Sequence, residues 1–307
     1  AEQFLDRKFG KKPQLRDANI ASLNHGFDFG ANTHATASIF RIETQKPIPG
    51  RYLDINGNKA TAYGLIAAAE QAGLELFLGS YPITPATDIL HELAKHKALG
   101  VKTVQAEDEI AGICTAIGAS FAGDLAVTTT SGPGLALKSE ALGLAVMAEL
   151  PLVLVDVQRG GPSTGLPTKS EQTDLMQALY GRNGEAPLPV LAATTPDTCF
   201  SAAYWAAKLA IEHMTPVILL TDTFVANGSS AWRIPNFHEL PTIEPNYVSK
   251  LPEGVAEVWR PYYRNEETKV RYWLCQVLLA SSTASEVWRR TTRPAPSAPM
   301  QLTTHSW

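Results

Sequence analysis

The chain has 307 residues, 45% of them hydrophobic and 18% charged, enough to bury a full core in one large domain with flanking segments. Its formal net charge is -4 and no block of like charges occurs, which excludes a surface built to attract a nucleic-acid backbone or an anionic membrane. No apolar run reaches bilayer-spanning length, since Glu149 and Pro151 interrupt the longest candidate, Ala141 to Val157, and the N-terminus carries no signal-peptide pattern.

Residues 1–56 are polar and mixed in composition and read as a linker; with no methionine at Ala1, they suggest an internal fragment of a longer protein. From Gly57 onward, short β-branched or leucine-rich runs alternate with alanine-rich helical ones. That alternation predicts an α/β domain with a mainly parallel sheet flanked by helices. Strands are expected at Leu74–Leu78, Val101–Gln105, Leu125–Thr130, Leu152–Val157, Val190–Ala193 and Val217–Thr221. Helices are expected at Lys59–Gln71, Ala86–Lys97, Glu107–Ala122, Leu135–Glu149, Lys169–Leu179 and Pro196–Glu212. Pro196 in a first turn and Gly73 just past a helix end fit ordinary start and stop chemistry. The pattern leaves strand order open. After Ile234 the periodicity fades into proline-rich polar sequence, so the domain is expected to span residues 57–235.

Cys114, Cys199 and Cys275 are widely spaced and odd in number. This fits a reducing cytoplasm and leaves too few thiolates to ligate an iron-sulfur cluster within this chain alone.

Chemistry concentrates between Glu107 and Gln172. Glu109 opens a helix that is small and apolar nearly all round, where burial would raise a carboxyl pKa and let it share a proton at neutral pH. Equally, Glu107, Asp108 and Glu109 could simply complement the helix dipole. The turn Thr130-Ser131-Gly132-Pro133-Gly134 joins a strand to a helix, offering free N–H groups to a ligand or only satisfying turn geometry. Arg159 follows a strand at its carboxyl end, where open α/β sheets bind ligands, and a guanidinium can grip a carboxylate through two parallel bonds. A solvated loop arginine is the alternative. Tyr81-Pro82-Ile83-Thr84-Pro85 is stiffened by two prolines, so that the Thr84 hydroxyl suits either substrate contact or a helix cap.

Taken together, GNKATAYGLIAAAEQAG, LFLGSYPITPATDILHEL, QAEDEIAGICTAIGASFAG, TTTSGPGLALKSEALGLAVMAELPLVLVDVQRGGPSTGLPTKSEQTDLMQALYGRNGE and LLTDTFVANGSSAWRIP resemble the α subunit of 2-oxoacid:ferredoxin oxidoreductases, in the 2-oxoglutarate (KorA-like) branch. The resemblance covers roughly Gly57 to Pro235. It implies the pyrimidine-binding domain of a thiamine diphosphate enzyme. In that superfamily a glutamate nine residues before a helix glycine bonds the cofactor's pyrimidine nitrogen, and Glu109 and Gly118 have that spacing. By the same comparison Thr84 stands near substrate and cofactor, Pro82, Ile83, Ser131 and Gly132 line the cofactor, and Arg159 binds the 2-oxoacid carboxylate.

The resemblance further implies oxidative decarboxylation of 2-oxoglutarate with coenzyme A to succinyl-CoA, CO2 and reduced ferredoxin. The chain lacks the GDG…N pattern that holds magnesium and diphosphate in this superfamily, and lacks cluster cysteines. Magnesium and the iron-sulfur cluster are therefore expected on a β subunit, the cofactor being shared in a heterodimer or dimer of heterodimers. No metal site is expected in this chain. Two other readings stand beside this one: a sister enzyme acting on pyruvate or a branched 2-oxoacid, and a non-catalytic assembly subunit. Lys169 could pair with the distal carboxylate of 2-oxoglutarate or be a surface lysine at a helix start.

The N-terminal stretch AEQFLDRKFGKKPQLRDANIASLNHGFDFG resembles the segment that follows a fused γ domain in longer members, an expectation of a missing domain upstream. Residues 236–273 read as a further linker, and from Leu274 the resemblance stops. The hypothesis for this is a frameshift by loss of one G after the Trp273 codon, since suitable codons for Leu274–Arg290 read in the restored frame as AVPGTASLEHRIGGLEK, which resembles the family's continuation; a truly divergent tail is the alternative. Residues 274–307 are accordingly expected to be an out-of-frame, unstructured tail.

Overall fold

In the computed structural model, which describes residues 1–33, 40, 43, 48–247 and 262–273, the N-terminal stretch expected as a linker is helical. It forms α1 (Glu2–Phe9) and α2 (Pro13–Thr33), a unit of its own that ends at Pro49. Ile20, Leu23 and Phe27 fall at helical spacing, a signal diluted by Gly26 and Gly30. Neither helix buries a residue.

The second unit begins with β1 (Tyr52–Asn56) and α3 (Gly57–Ala72), capped by the Asn56 side chain, which accepts from Lys59 N at 2.9 Å. It continues through β2 (Leu76–Ser80), α4 (Thr87–Leu93), β3 (Val101–Gln105), α5 (Glu109–Ala122) and β4 (Leu125–Thr130). Next come α6 (Gly132–Leu137), α7 (Ser139–Met147), β5 (Leu152–Gln158), α8 (Leu175–Tyr180) and β6 (Val190–Ala192). The unit closes with α9 (Thr198–His213), β7 (Pro216–Asp222), α10 (Thr223–Asn227) and β8 (Ser229–Arg233).

Six strands form one wholly parallel sheet in the order β3-β2-β4-β5-β7-β6. Every residue of β4, β5 and β7 is buried, as expected of strands covered on both faces. Strand alternation divides the core in two. Val153, Val155 and Val157 pack with α3, α4 and α9, whereas Leu152 and Leu154 pack with α5, α6 and α7. The chain runs from β2 out to the edge strand β3, then returns past β2 to β4. The carboxyl ends of β2 and β4 therefore flank a topological switch point, the place where such sheets open a crevice.

All six expected strands are present, with ends shifted by a residue or two. Three expected helices are corrected. The run expected over Leu135–Glu149 starts at Gly132 and breaks at Lys138 into two helices. The helix expected from Ala86 ends at Leu93, followed by a 3₁₀ turn at Lys97–Leu99. The helix expected from Lys169 shrinks to α8, because Glu171 accepts from Gly161 N, Gln172 donates to Asp222 and Asp174 N donates to the Gln158 side chain. Those bonds hold residues 171–174 against the sheet ends instead of in a helix.

The antiparallel pair β1 and β8, Tyr52 opposite Arg233, was not expected, and it moves the start of the domain ahead of Gly57. Part of the expected linker after Pro235 is also packed: Trp273 is fully buried, stacks on Tyr247 at 5.1 Å and donates to Ser120 O at 3.1 Å. The expected tail, residues 274–307, lies outside the described residues. Among those described, no helix is long and apolar enough to cross a membrane. A cavity of about 310 Å³ lies among β1, α3, β8 and α9, lined by Tyr63, Phe200 and Trp232 among others, and none of the expected site residues lines it.

Candidate active site

Beyond Leu78 and Val127 the β2–β4 ladder ends, and the Ser80 hydroxyl bridges the gap by donating to Thr129 O at 2.8 Å. The loop Tyr81–Pro85 leaves this point. Buried Asn58 of α3 anchors it, donating to Pro85 O at 2.9 Å. Thr84 is exposed and its hydroxyl makes no hydrogen bond among the described residues. The helix-cap alternative is not realised, because α4 follows Ala86 without any side-chain cap. Pro82 and Ile83 are half-buried beside it.

Opposite this loop stands the first turn of α5, capped by Asp108, whose carboxylate accepts from Ala111 N at 2.7 Å. The helix lies close on β2 because Gly112 has no side chain: a Cβ there would sit 3.2 Å from Ser80 Cα. The expectation that Glu109 is buried is corrected, for it is half-buried and its neighbour Ile110 is 48% exposed. Desolvation needs a cover, and the described residues leave this side of the helix open.

The Glu109 side chain leans on the glycine-rich turn, where a Cβ on Gly134 would lie 2.8 Å from Glu109 Cγ. Gly134 thus permits the contact between α6 and Glu109. Ser131 is fully buried, its hydroxyl has no partner among the described residues, and its carbonyl accepts from Gly134 N at 2.8 Å and Leu135 N at 3.0 Å. Gly132 is backed by Asp174, whose Oδ2 would be 2.7 Å from a Cβ at that position.

Asp174 belongs to a pair that sequence reasoning missed. Asp156, opposite Thr130 in the sheet, is fully buried with no donor to either oxygen among the described residues, and its charged neighbour is the Asp174 carboxyl. Burial pushes the Asp156 pKa well above the usual carboxylate range, and Asp174 raises it further. Two acceptors in contact can bond only through a proton held between them. The signal was present in LVLVDVQ, a carboxylate inside a buried strand.

Arg159 lies at the carboxyl end of β5, as expected, and is only 8% exposed. Its Nη1 donates to Thr84 O at 2.6 Å and its Nη2 to Thr164 O at 2.8 Å, while Nε has no partner among the described residues. It is therefore a tie between two loops, with three N–H groups left over. Lys169 is exposed and not part of a helix, and its carbonyl accepts from Gly160 N at 2.8 Å.

The structure thus brings Glu109 onto the Ser131–Gly134 turn, and Arg159 onto Thr84, with Ser80 and Gly112 joining the two groups. Lys138, also missed, is fully buried and donates to Glu109 O at 2.6 Å. Beside Ser139 and Glu140 it carries no signal in the sequence that sets it apart from an ordinary helix lysine. Among the described residues, no three His, Cys, Asp or Glu side chains gather in a way that could hold a metal ion.

Residues 67–272 match the family of pyruvate flavodoxin/ferredoxin oxidoreductases, thiamine diphosphate-binding. The chain belongs to this family. The match extends past Pro235 as far as residue 272, next to the packed Trp273. Over 271 residues the chain is 54% identical to the 2-oxoglutarate oxidoreductase subunit KorA of Mycobacterium tuberculosis, covering 88% of this chain and 41% of that one. It is 42% identical over 191 residues to the 2-oxoglutarate synthase subunit KorA of Archaeoglobus fulgidus, covering 62% of this chain and 54% of the other. The solved 2-oxoglutarate:ferredoxin oxidoreductase from Magnetococcus marinus, with 2-oxoglutarate, coenzyme A and succinyl-CoA bound, superposes with a TM-score of 0.76 at 34% identity, over 94% of this chain and 52% of that chain. The KorA-like resemblance and the parallel α/β fold read from the motifs both hold. The chain spans about half the length of these relatives, or less.

Proposed function

We propose that this chain is the pyrimidine-binding part of a thiamine diphosphate-dependent oxidoreductase that converts 2-oxoglutarate and coenzyme A to succinyl-CoA and CO2, with ferredoxin as electron acceptor. The observation that carries the reading is the seat of Glu109 against Gly134, beside the buried hydroxyl of Ser131, which has no partner among the described residues. These residues fit an aminopyrimidine ring: a carboxyl for a ring nitrogen and a turn free of side chains at the closest approach. When bound, thiamine diphosphate supplies a thiazolium nucleophile and electron sink for decarboxylating a 2-oxoacid.

Glu109 holds and moves a proton at the pyrimidine nitrogen. Ser131 and Gly132 shape the wall that the ring meets, and Pro82 and Ile83 stiffen the loop facing it. Thr84 presents its hydroxyl to the substrate, and Arg159, already fixed by Thr84 and Thr164, directs its remaining N–H groups at the substrate carboxylate.

A partner subunit completes the site. Gly118 is exposed and a Cβ there would meet nothing within 4 Å among the described residues, which supports a close approach by another chain. Magnesium, the diphosphate-binding loop and the iron-sulfur cluster belong to that β subunit, in a cytoplasmic heterodimer or dimer of heterodimers.

The test is coenzyme A-dependent reduction of a viologen dye by the complete subunit co-expressed with its partner, under anoxic conditions. Turnover on 2-oxoglutarate is expected. Turnover on pyruvate alone would retain the mechanism and change the substrate, and silence on all 2-oxoacids would favour an assembly subunit.

A further inference from the structure

We propose that Lys138 is the positioning residue for Glu109: its buried ammonium pins the first turn of α5 and supplies the counter-charge against which Glu109 exchanges its proton. This rests on the reading of Glu109 above. Lys138 sits at the junction of α6 and α7, its N–H donating to Gly134 O at 3.0 Å and its carbonyl accepting from Leu142 N at 2.9 Å. Its backbone is thereby locked by the same turn that carries Ser131 and Gly134. From there the side chain reaches α5 and donates to Glu109 O at 2.6 Å, with no part of the residue exposed.

A purely structural role leaves one fact unexplained. An ammonium carries three N–H donors, and only one finds an acceptor among the described residues. Burying a lysine for one backbone bond is unfavourable, and an apolar side chain would fill the space better. The titratable groups that act on the amine are Glu109 and Cys114 of α5 and Asp108, its N-cap. Asp156 and Asp174, near Gly132, are engaged with each other.

Held at the first turn of α5, the buried ammonium complements the negative charge that builds on Glu109 as its proton passes to the cofactor's ring nitrogen. Burial also pushes the Lys138 amine down to about 8, with Glu109 and Asp108 opposing the shift. The charge is therefore present at neutral pH and lost in mildly alkaline solution.

The experiment uses the complete subunit assembled with its partner and loaded with thiamine diphosphate, without substrate. Hydrogen–deuterium exchange at the cofactor's C2 is read by acid quench and NMR against pH, together with calorimetric cofactor affinity and melting temperature. In the unaltered enzyme the exchange rate should fall as pH rises past about 8. Lys138→Met should slow exchange about ten-fold at neutral pH and abolish that alkaline limb. It should also weaken cofactor affinity about five-fold, the worth of roughly one hydrogen bond. Lys138→Arg should recover much of the rate and carry the limb to higher pH, since a guanidinium stays protonated.

An unaltered enzyme whose exchange stays level through alkaline pH overturns the proposal, even if no variant folds. Slowed exchange in Glu109→Gln with unchanged exchange in Lys138→Met overturns the role of Lys138 alone. Unchanged exchange in both overturns the reading of Glu109, and this inference with it.

Discussion

The guanidinium of Arg159 donates to the carbonyl oxygen of Thr84 at 2.6 Å, joining the loop after β5 to the loop after β2 across the intervening strand β4. The two residues are 75 positions apart, and their loops also meet the Gly160–Gly165 turn through Thr164. A residue proposed to hold substrate is thus also the clasp of the crevice that would receive it.

Arg159→Ala should therefore disturb more than binding. Removing two charge-assisted bonds is expected to destabilise the fold by about 2–4 kcal/mol, seen in urea denaturation. Arg159→Lys should not restore it, because one ammonium cannot span both carbonyls in the fork geometry. In the assembled enzyme the lysine variant should raise KM for 2-oxoglutarate more than it lowers kcat. Equal stability of the arginine and lysine forms would show the clasp to be dispensable.

Glu109→Gln should lower kcat by about 10²–10⁴ with little change in melting temperature. The separation follows from its position: the side chain is half-buried and makes no hydrogen bond among the described residues. An unchanged turnover number would remove Glu109 from the chemistry.

Gly134→Ala tests the contact rather than the carboxylate. The added methyl meets both Thr130 Oγ1 and Glu109 Cγ. Overpacking of this kind costs about 1–3 kcal/mol. Adding Thr130→Ala should recover stability by clearing one clash, while activity stays low because Glu109 remains displaced. Joint recovery of both would mean that the seat of Glu109 does not matter.

Asp156→Asn should flatten the dependence of stability on pH. Burial, and then the neighbouring Asp174, raise the Asp156 pKa in the folded chain. Stability from such a group is fully present below the unfolded value of about 4 and is lost as pH rises through the raised folded value. Asparagine keeps the shape and cannot ionise. Urea midpoints measured from acid to alkaline pH should therefore fall in the unaltered chain and stay more level in the variant, and parallel curves would argue against the proton-sharing pair.

Much of this was legible because burial on both faces leaves an unmistakable mark: LAVTTT and LVLVDVQ can be little else than central parallel strands. Of the candidate residues, Arg159 was placed from the sequence at the carboxyl end of a strand, where open sheets bind ligands, and in the structure Thr84, Glu109 and Ser131 likewise follow the carboxyl ends of β2, β3 and β4. What escaped depends on contacts distant in sequence. Pairing of β1 with β8 joins segments too short and too polar to announce themselves, and the bonds of Glu171, Gln172 and Asp174 to loop ends override local helix preference. Lys138 reads as an ordinary helix lysine until its carbonyl partner is known. The burial expected for Glu109 failed for a related reason, since the apolar side of α5 is only partly covered within this chain.

The clasp of β1 on β8 is a seam that joins the strand leading into the parallel sheet to the one that follows β7 and α10, with Tyr52 beside Arg233. A ribbon of two strands is marginal by itself, so each strand depends on the other and on the core it packs against. The same seam is a point of vulnerability: deleting either strand would leave the other with an unpaired edge, open to the wrong neighbour.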